Sequence, residues 1–318
     1  MNKKFQLSSI LSFLCIFASA GDVAALHRIK SEKDPAIRAE LLDRMQQLAD
    51  RTSKDEFDTF DYNPKLKTNN PLLKFYDETL DRVKQDVINT QVSPGNVAVW
   101  YLYNMGFIIK TPTICFGVDI HHRRAVELAE VLDFVAITHN HLDHQSIPLL
   151  REMTRLNKPI VSNFFDNRYY TKEIEHTHRI ADVTICCGEA DHHSKKLAKF
   201  TMPLEIICPT GNRNFVFFTS GDCSDEIYLH RKSEQIDLYA VHPFCGMKAV
   251  QAAKKLTPRM TFLVHLLEMS HEVDRWRWTV ENGRSEQKIF DQEKLNSYIP
   301  VWGEKFIWNG ETLSSCNE

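Results

Sequence analysis

The sequence lacks an excess of positive charge. Its 318 residues include 39 lysines and arginines against 42 aspartates and glutamates, so the formal net charge is −3 at pH 7. A protein that binds the nucleic-acid backbone needs a surplus of cations, because they replace the counterions of the phosphates. The charge balance therefore predicts that nucleic acid is not a partner.

Regularly spaced cysteine pairs are also lacking. The chain has eight cysteines, and setting aside Cys15 in the N-terminal apolar run leaves seven, none of them in a CxxC pair. An odd number at irregular spacing does not form a disulfide framework. A structural zinc site usually contains a CxxC spacing. We therefore expect mostly buried, free thiols.

Long apolar runs are absent beyond residue 20, where no stretch reaches the length of about eighteen residues that a membrane span needs. The N-terminus itself differs from the rest. Lys3 and Lys4 precede a mostly apolar run over residues 10–17, which is followed by an Ala-Ser-Ala end at Ala20. This order is typical of a secretory signal peptide. The sequence predicts cleavage of residues 1–20 and export to the periplasm or the medium.

Two regions with different patterns of apolar and polar residues follow. Residues 21–92 predict a helical N-terminal extension, with one amphipathic helix that begins at Pro35, another over 71–87, and a polar loop over 52–70. From there on, short apolar strands alternate with helical segments, which favours a layered α/β domain over residues 93–318 that ends in an aromatic cap.

The segment Thr-His-Asn-His-Leu-Asp-His, which ends at His144, carries the clearest chemical signal. His139, His141, Asp143 and His144 follow a predicted strand directly. Three imidazoles and a carboxylate suit zinc or another first-row divalent ion. Because Asp143 and His144 are adjacent, their side chains diverge, and the motif fits two ions better than one.

This motif resembles that of the metallo-β-lactamase-fold hydrolases, and the resemblance covers about residues 96–270. The order of elements is most similar to the broad branch that includes lactonases and N-acylphosphatidylethanolamine-hydrolysing phospholipases. The resemblance implies an αββα sandwich with two metal ions at one edge of the sheets. It assigns His139 and His141 to the first ion, and Asp143 and His144 to the second.

The same resemblance implies three further ligands. A histidine from the middle of the chain would complete the first site; we favour His193, with His192 as the alternative. Asp222, after an apolar strand, would bridge both ions, although Gly-Asp is also a common turn pair. His265, at the end of a strand, would complete the second site, unless it is a core histidine.

Three other residues are weaker candidates. His176 and His178 lie on what reads as a polar helix and are less favoured as the middle ligand. Asp119 follows a strand upstream of the motif, and the resemblance makes it a carboxylate that supports a metal-bound imidazole. An ordinary turn aspartate is the alternative interpretation of Asp119.

The resemblance implies a metal-dependent hydrolase with two divalent ions, for which zinc is expected. Two such ions can lower the pKa of a shared water from 15.7 toward ~7 and polarise the scissile group. Asp143 would be the catalytic residue because it also orients this water. The expected substrate is a small molecule or lipid-like compound with a phosphodiester, lactone or ester bond. The alternative is an exported metal-binding protein of this fold without catalytic activity.

Position 141 separates hydrolysis from redox chemistry within the resemblance. The diiron oxidoreductase branch has a glutamate there, whereas this sequence has His141. The histidine favours a hydrolase. The sequence leaves the oligomeric state open.

Overall fold

The computed structural model describes residues 21–171, 176–193 and 195–316. The predicted signal peptide over residues 1–20 lies outside the described residues. In the part of the chain that the structure describes, no helix has the length and apolar character needed to cross a membrane.

The N-terminal region is helical, as predicted. Residues 21–29 are helical, and α1 (Pro35–Arg51), α2 (Lys54–Asp61) and α3 (Pro71–Asn89) follow. Each of the two long helices begins with proline after a capping side chain. Asp34 accepts hydrogen bonds from the backbone at the start of α1, and Asn70 does the same for α3.

The loop predicted over residues 52–70 is wrong in part, because helix α2 lies within it. The Ser53 side chain caps the helix by accepting a hydrogen bond from the Glu56 amide. Phe57 and Phe60 are buried on its inner side. Its few apolar residues made it look like a loop, but tertiary burial of the two phenylalanines stabilises the helix.

Fourteen named strands follow in the described part of the chain: β1 (Val97–Tyr101), β2 (Phe107–Lys110), β3 (Cys115–Val118), β4 (Phe134–Ala136), β5 (Ile160–Val161), β6 (His176–Ile180), β7 (Val183–Cys187), β8 (Leu204–Pro209), β9 (Asn214–Thr219), β10 (Leu238–Val241), β11 (Met260–Leu263), β12 (Ser297–Tyr298), β13 (Glu304–Trp308) and β14 (Leu313–Ser315). Three further helices lie among them: α4 (Ile147–Arg155), α5 (Ala249–Leu256) and α6 (Val280–Gln292).

These strands form two sheets. The first has the order β14-β13-β1-β2-β3-β4-β5, and the second has the order β12-β11-β10-β9-β8-β7-β6. Strands β3, β4 and β5 run parallel, as do β9, β10, β11 and β12, whereas the other pairs are antiparallel. The carboxyl ends of parallel strands collect loops at one edge of a sheet, where ligands usually bind.

The two sheets pack face to face with helices outside. Alternate residues such as Val97 and Val99 of β1 point into the core between the sheets. Their neighbours Ala98 and Trp100 point outward and pack with residues of α3 and α4. Residues of α5 and α6 pack with the outer face of the second sheet. The predicted αββα sandwich with N-terminal helices is therefore confirmed.

Candidate metal centre

The candidate ligands lie just beyond the carboxyl ends of the parallel strands. His139 and His141 follow β4, and a short 3-10 turn over Leu142–His144 places Asp143 and His144. Asp222 lies three residues after β9 and His265 two residues after β11. Both sheets therefore contribute ligands at one edge of the sandwich.

A glycine allows the two sheets to approach each other here. Gly221 has φ +50°, and a Cβ at this position would lie 2.7 Å from the Cβ of Thr138. A side chain would push the loop that carries Asp222 away from the histidine motif. Gly221 therefore sets the close approach of Asp222 to His139.

The first donor group consists of His139, His141, His192 and Asp222. His139 Nε2 lies 3.1 Å from His141 Nδ1. Asp222 Oδ2 lies 3.3 Å from His192 Nε2 and 3.9 Å from His139 Nε2. Three ring nitrogens and one carboxylate oxygen thus converge on one point.

The second donor group consists of Asp143, His144 and His265. Asp143 Oδ2 lies 3.1 Å from His265 Nε2 and 3.6 Å from His144 Nε2. Asp222 reaches this group as well, because its Oδ1 lies 3.4 Å from His144 Nε2. The carboxylate of Asp222 therefore faces both groups with different oxygens.

The spacing of the donor atoms and their lack of hydrogen-bond partners both fit divalent metal ions. Tetrahedral zinc with bonds of 2.0–2.1 Å holds its donors about 3.3 Å apart, close to the spacing found here. His144 Nε2, His192 Nε2 and Asp222 Oδ1 are buried and have no hydrogen-bond partner among the described residues. Buried polar atoms normally have a hydrogen-bond partner, and the lack of one at these three atoms indicates that they are candidate metal ligands.

Several solved structures have a similar fold. A metallo hydrolase from the archaeon Ignicoccus hospitalis matches with a TM-score of 0.51 at 16% identity, over 67% of this chain and 98% of that chain. CmlA, a diiron β-hydroxylase from Streptomyces venezuelae, gives 0.48 at 10% identity, over 69% of this chain and 54% of that chain. A candidate zinc-dependent hydrolase of the metallo-β-lactamase superfamily from Thermotoga maritima gives 0.40 at 13% identity, over 61% of this chain and 86% of that chain.

No protein-family model and no curated protein matches this sequence. The likeness to the Ignicoccus metallo hydrolase is one of fold. It agrees with the helix-flanked double sheet. The chain therefore shares the two-sheet, helix-flanked fold of that protein.

Within this fold, the structure brings His192 rather than the favoured His193 into the first donor group. The amide of His193 donates a hydrogen bond to His192 Nδ1, so Nε2 of that ring turns toward Asp222. The His193 side chain is exposed. The geometry therefore favours the alternative, His192, as the middle ligand.

His176 and His178 lie away from the candidate metal centre. The helix predicted for them is wrong, because they belong to strand β6 at the edge of the second sheet. His178 is buried beside Thr171, whose Oγ1 lies 2.9 Å from its Nε2. The rings of the two histidines contact each other at 4.4 Å between centroids, with a tilt of 56°.

Asp119 supports the second donor group. The backbone amide and the hydroxyl of Thr138 both donate to its carboxylate, each at 2.7 Å. Asp119 Oδ2 also lies 3.1 Å from His144 Nδ1. This contact fixes the ring so that Nε2 faces Asp143 and Asp222.

Sequence reasoning missed Asn104 as part of the site. Its side-chain amide donates to the backbone oxygen of Asp143 at 2.9 Å and to Asp143 Oδ2 at 3.1 Å. Asn104 has φ 54°, in the left-handed region that asparagine tolerates better than most residues. The Asn-Met-Gly turn after β1 was visible in the sequence, but its contact with the motif is a tertiary feature.

Burial and mutual charge set the protonation of the centre. Burial lowers the pKa of His139 and of His141, which favours the neutral, metal-binding rings. Burial alone would raise the pKa of Asp222, but His144 and His265 hold it well below its ordinary value. For His144 the effect of burial is the opposite: burial alone would lower its pKa, but the negative charges of Asp222 and Asp143 raise it. A metal ion therefore competes with a proton at His144.

Proposed function

We propose that the protein is a metal-dependent hydrolase with a dinuclear zinc centre. The observation that carries the proposal is the position of Asp222 between two donor groups, with one carboxylate oxygen toward each. Two ions held there would lower the pKa of a bound water and would polarise a carbonyl or phosphoryl oxygen.

The residues divide into roles by their contacts. His139, His141 and His192 would hold the first ion, and Asp143, His144 and His265 would hold the second. Asp222 would contribute one oxygen to each group. Asp119 keeps the His144 ring in the binding tautomer through Nδ1.

Asp143 has a second proposed role, in orienting the attacking water. Its Oδ2 accepts a hydrogen bond from Asn104 and faces His265. A carboxylate that is fixed on one side can hold a water in a single orientation, which lowers the entropic part of the barrier.

Zinc is the proposed metal because of the donor set. Five imidazoles and two carboxylates contribute to the two groups, together with no cysteine. Imidazole nitrogen with a minority of carboxylate oxygen suits zinc.

A substrate panel tests the proposal. Zinc-loaded protein should hydrolyse at least one member of a panel of phosphodiesters, lactones and esters, and chelation should abolish the activity. The matched control is Asp222→Asn, which keeps the side-chain shape. Protein that binds its zinc but hydrolyses no member of the panel would instead support a metal-binding protein without catalysis.

We also propose that the protein is exported. The proposal rests on Lys3, Lys4, the apolar run over residues 10–17 and the Ala-Ser-Ala end at Ala20. N-terminal sequencing of the exported protein should begin near Gly21. An intact Met1 in the exported fraction would refute the proposal.

A further inference from the structure

The cavity that contains the candidate metal centre also has an apolar lining. Its volume is about 410 Å³, and it includes donor residues of both groups. Four apolar side chains line the same cavity: Leu197, Phe244, Trp276 and Trp278. We call the three aromatic residues of this set the aromatic wall.

The aromatic wall has two parts. Phe244 and Trp278 stack at 4.4 Å between ring centroids with an interplanar angle of 27°. Trp276 is 51% exposed, and the Arg275 guanidinium lies over its ring at 4.3 Å. Large aromatic side chains left partly open to solvent beside a cavity are typical of a binding surface.

A buried arginine fixes the segment that carries the two tryptophans. Arg277 donates to the carbonyl oxygens of His271 at 2.8 Å and of Met269 at 2.9 Å. It also donates to the carbonyls of Ala49 at 3.0 Å and Thr52 at 2.7 Å, at the end of α1. The N-terminal helices therefore hold the wall in place, which lowers the entropy lost on ligand binding.

We propose that the aromatic wall binds an uncharged, apolar group of the substrate while the reacting bond lies at the metal centre. The second half of this statement rests on the proposed hydrolase function, but binding to the wall does not. Each methylene buried on the wall should tighten binding about fourfold. A carboxylate would lose hydration against the electron-rich faces of the rings and bind less well.

A series of alkyl hydroxamates tests the wall without hydrolysis. The hydroxamate chelates zinc, and the chain length varies from acetohydroxamate to octanohydroxamate. Calorimetric titration of zinc-loaded protein should show affinity rising about fourfold per methylene over the first methylenes. In Trp276→Ala and in Phe244→Ala this rise should be clearly smaller.

Ile88→Ala is the matched control. Ile88 is also 51% exposed but lies near the end of α3 and does not line this cavity. It should keep the wild-type dependence on chain length. Circular dichroism checks the fold of each variant, and because Trp276 is half-exposed, its replacement should leave the fold intact.

Two results would overturn the proposal. One is an affinity that does not depend on chain length, or that depends on it equally in wild type and Trp276→Ala. The other is tighter binding of a chain that ends in carboxylate or trimethylammonium than of the methyl-ended chain of equal length. If the chain-length dependence holds but the substrate panel is not hydrolysed, the hydrolase proposal fails and the apolar binding wall stands.

Discussion

Asp222 faces both donor groups, with Oδ1 3.4 Å from His144 Nε2 and Oδ2 3.3 Å from His192 Nε2. Replacing it by asparagine keeps its shape but removes the negative charge that both ions share. We expect Asp222→Asn to weaken both ions and to lower hydrolysis at least about a hundredfold. Metal analysis and turnover measure this, with circular dichroism to confirm folding.

Asp143→Asn is the companion variant, because Asp143 belongs to the second donor group and not to the first. It should release the second ion first and leave the first in place. If Asp222→Asn keeps both ions and wild-type turnover, Asp222 is only a turn residue and its bridging role is wrong.

The adjacent histidines His192 and His193 offer a matched pair. His192 is buried beside Asp222, whereas His193 is exposed. His192→Ala should therefore reduce the zinc content by about one ion per chain, because the first donor group loses a nitrogen ligand. His193→Ala should retain the full content. A loss of zinc in His193→Ala but not in His192→Ala would reverse the assignment.

Helix α2 makes a testable contribution to stability. Phe57 is 1% exposed and packs against the rings of Tyr76 and Tyr103. We expect Phe57→Ala to reduce the free energy of unfolding by about 3–5 kcal/mol through lost burial and an unfilled cavity. Tyr62 follows the same helix and is 67% exposed. Tyr62→Ala should therefore change the free energy of unfolding by at most about 0.5 kcal/mol. Urea denaturation measures both; equal effects would show that α2 is not packed as described.

A buried ion pair joins α2 to the loop after β3. His121 Nε2 lies 3.2 Å from Asp61 Oδ2. Burial alone would lower the pKa of His121, but Asp61 raises it from 6.5 to about 9. Burial would raise the pKa of Asp61, but His121 lowers it to about 2. Both side chains are therefore charged at pH values between about 2 and about 9.

The raised pKa of His121 gives stability that is fully present below pH 6.5 and is lost as the pH rises through about 9. Wild type should exceed His121→Gln in free energy of unfolding by the largest margin near neutral or slightly acidic pH. That margin should shrink by about 2–3 kcal/mol toward alkaline pH. Urea midpoints of both proteins across this range measure it, and a margin independent of pH would disprove the charged pair.

Local patterns in the sequence predicted many of the helices and strands and the histidine motif. The strand before His139 and the diverging side chains of Asp143 and His144 are features of adjacent residues, so the motif could be interpreted without the fold. Helix α2 could not, because its stability comes from Phe57 and Phe60 packing on distant elements. Strand β6 was missed for the same reason, since its pairing with β7 decides its conformation.

The choice between His192 and His193 shows what sequence alone cannot supply. The two histidines are adjacent in a loop, so their spacing in the sequence does not show which ring reaches the centre. Which one does so depends on the backbone bridge between Ala190 and Thr201 and on the contact of Met202 with Thr138. These are long-range contacts that spacing in the sequence does not encode.

At the scale of the whole molecule, the N-terminal helices and the sandwich share one hydrophobic core. Buried residues of α1, such as Met45, belong to the same cluster as Phe107 and Phe217 of the two sheets. Arg277 links the end of α1 to the segment of the aromatic wall. The N-terminal helices therefore support the cavity beside the candidate metal centre.

The central claim is that this edge of the sandwich binds two metal ions. The most direct measurement is a titration of metal-free protein with zinc, followed calorimetrically and checked by elemental analysis after removal of unbound metal. The structure predicts about two zinc ions per chain, since two donor groups share Asp222. Folded protein that takes up no zinc, or that saturates at a single ion, would contradict the account.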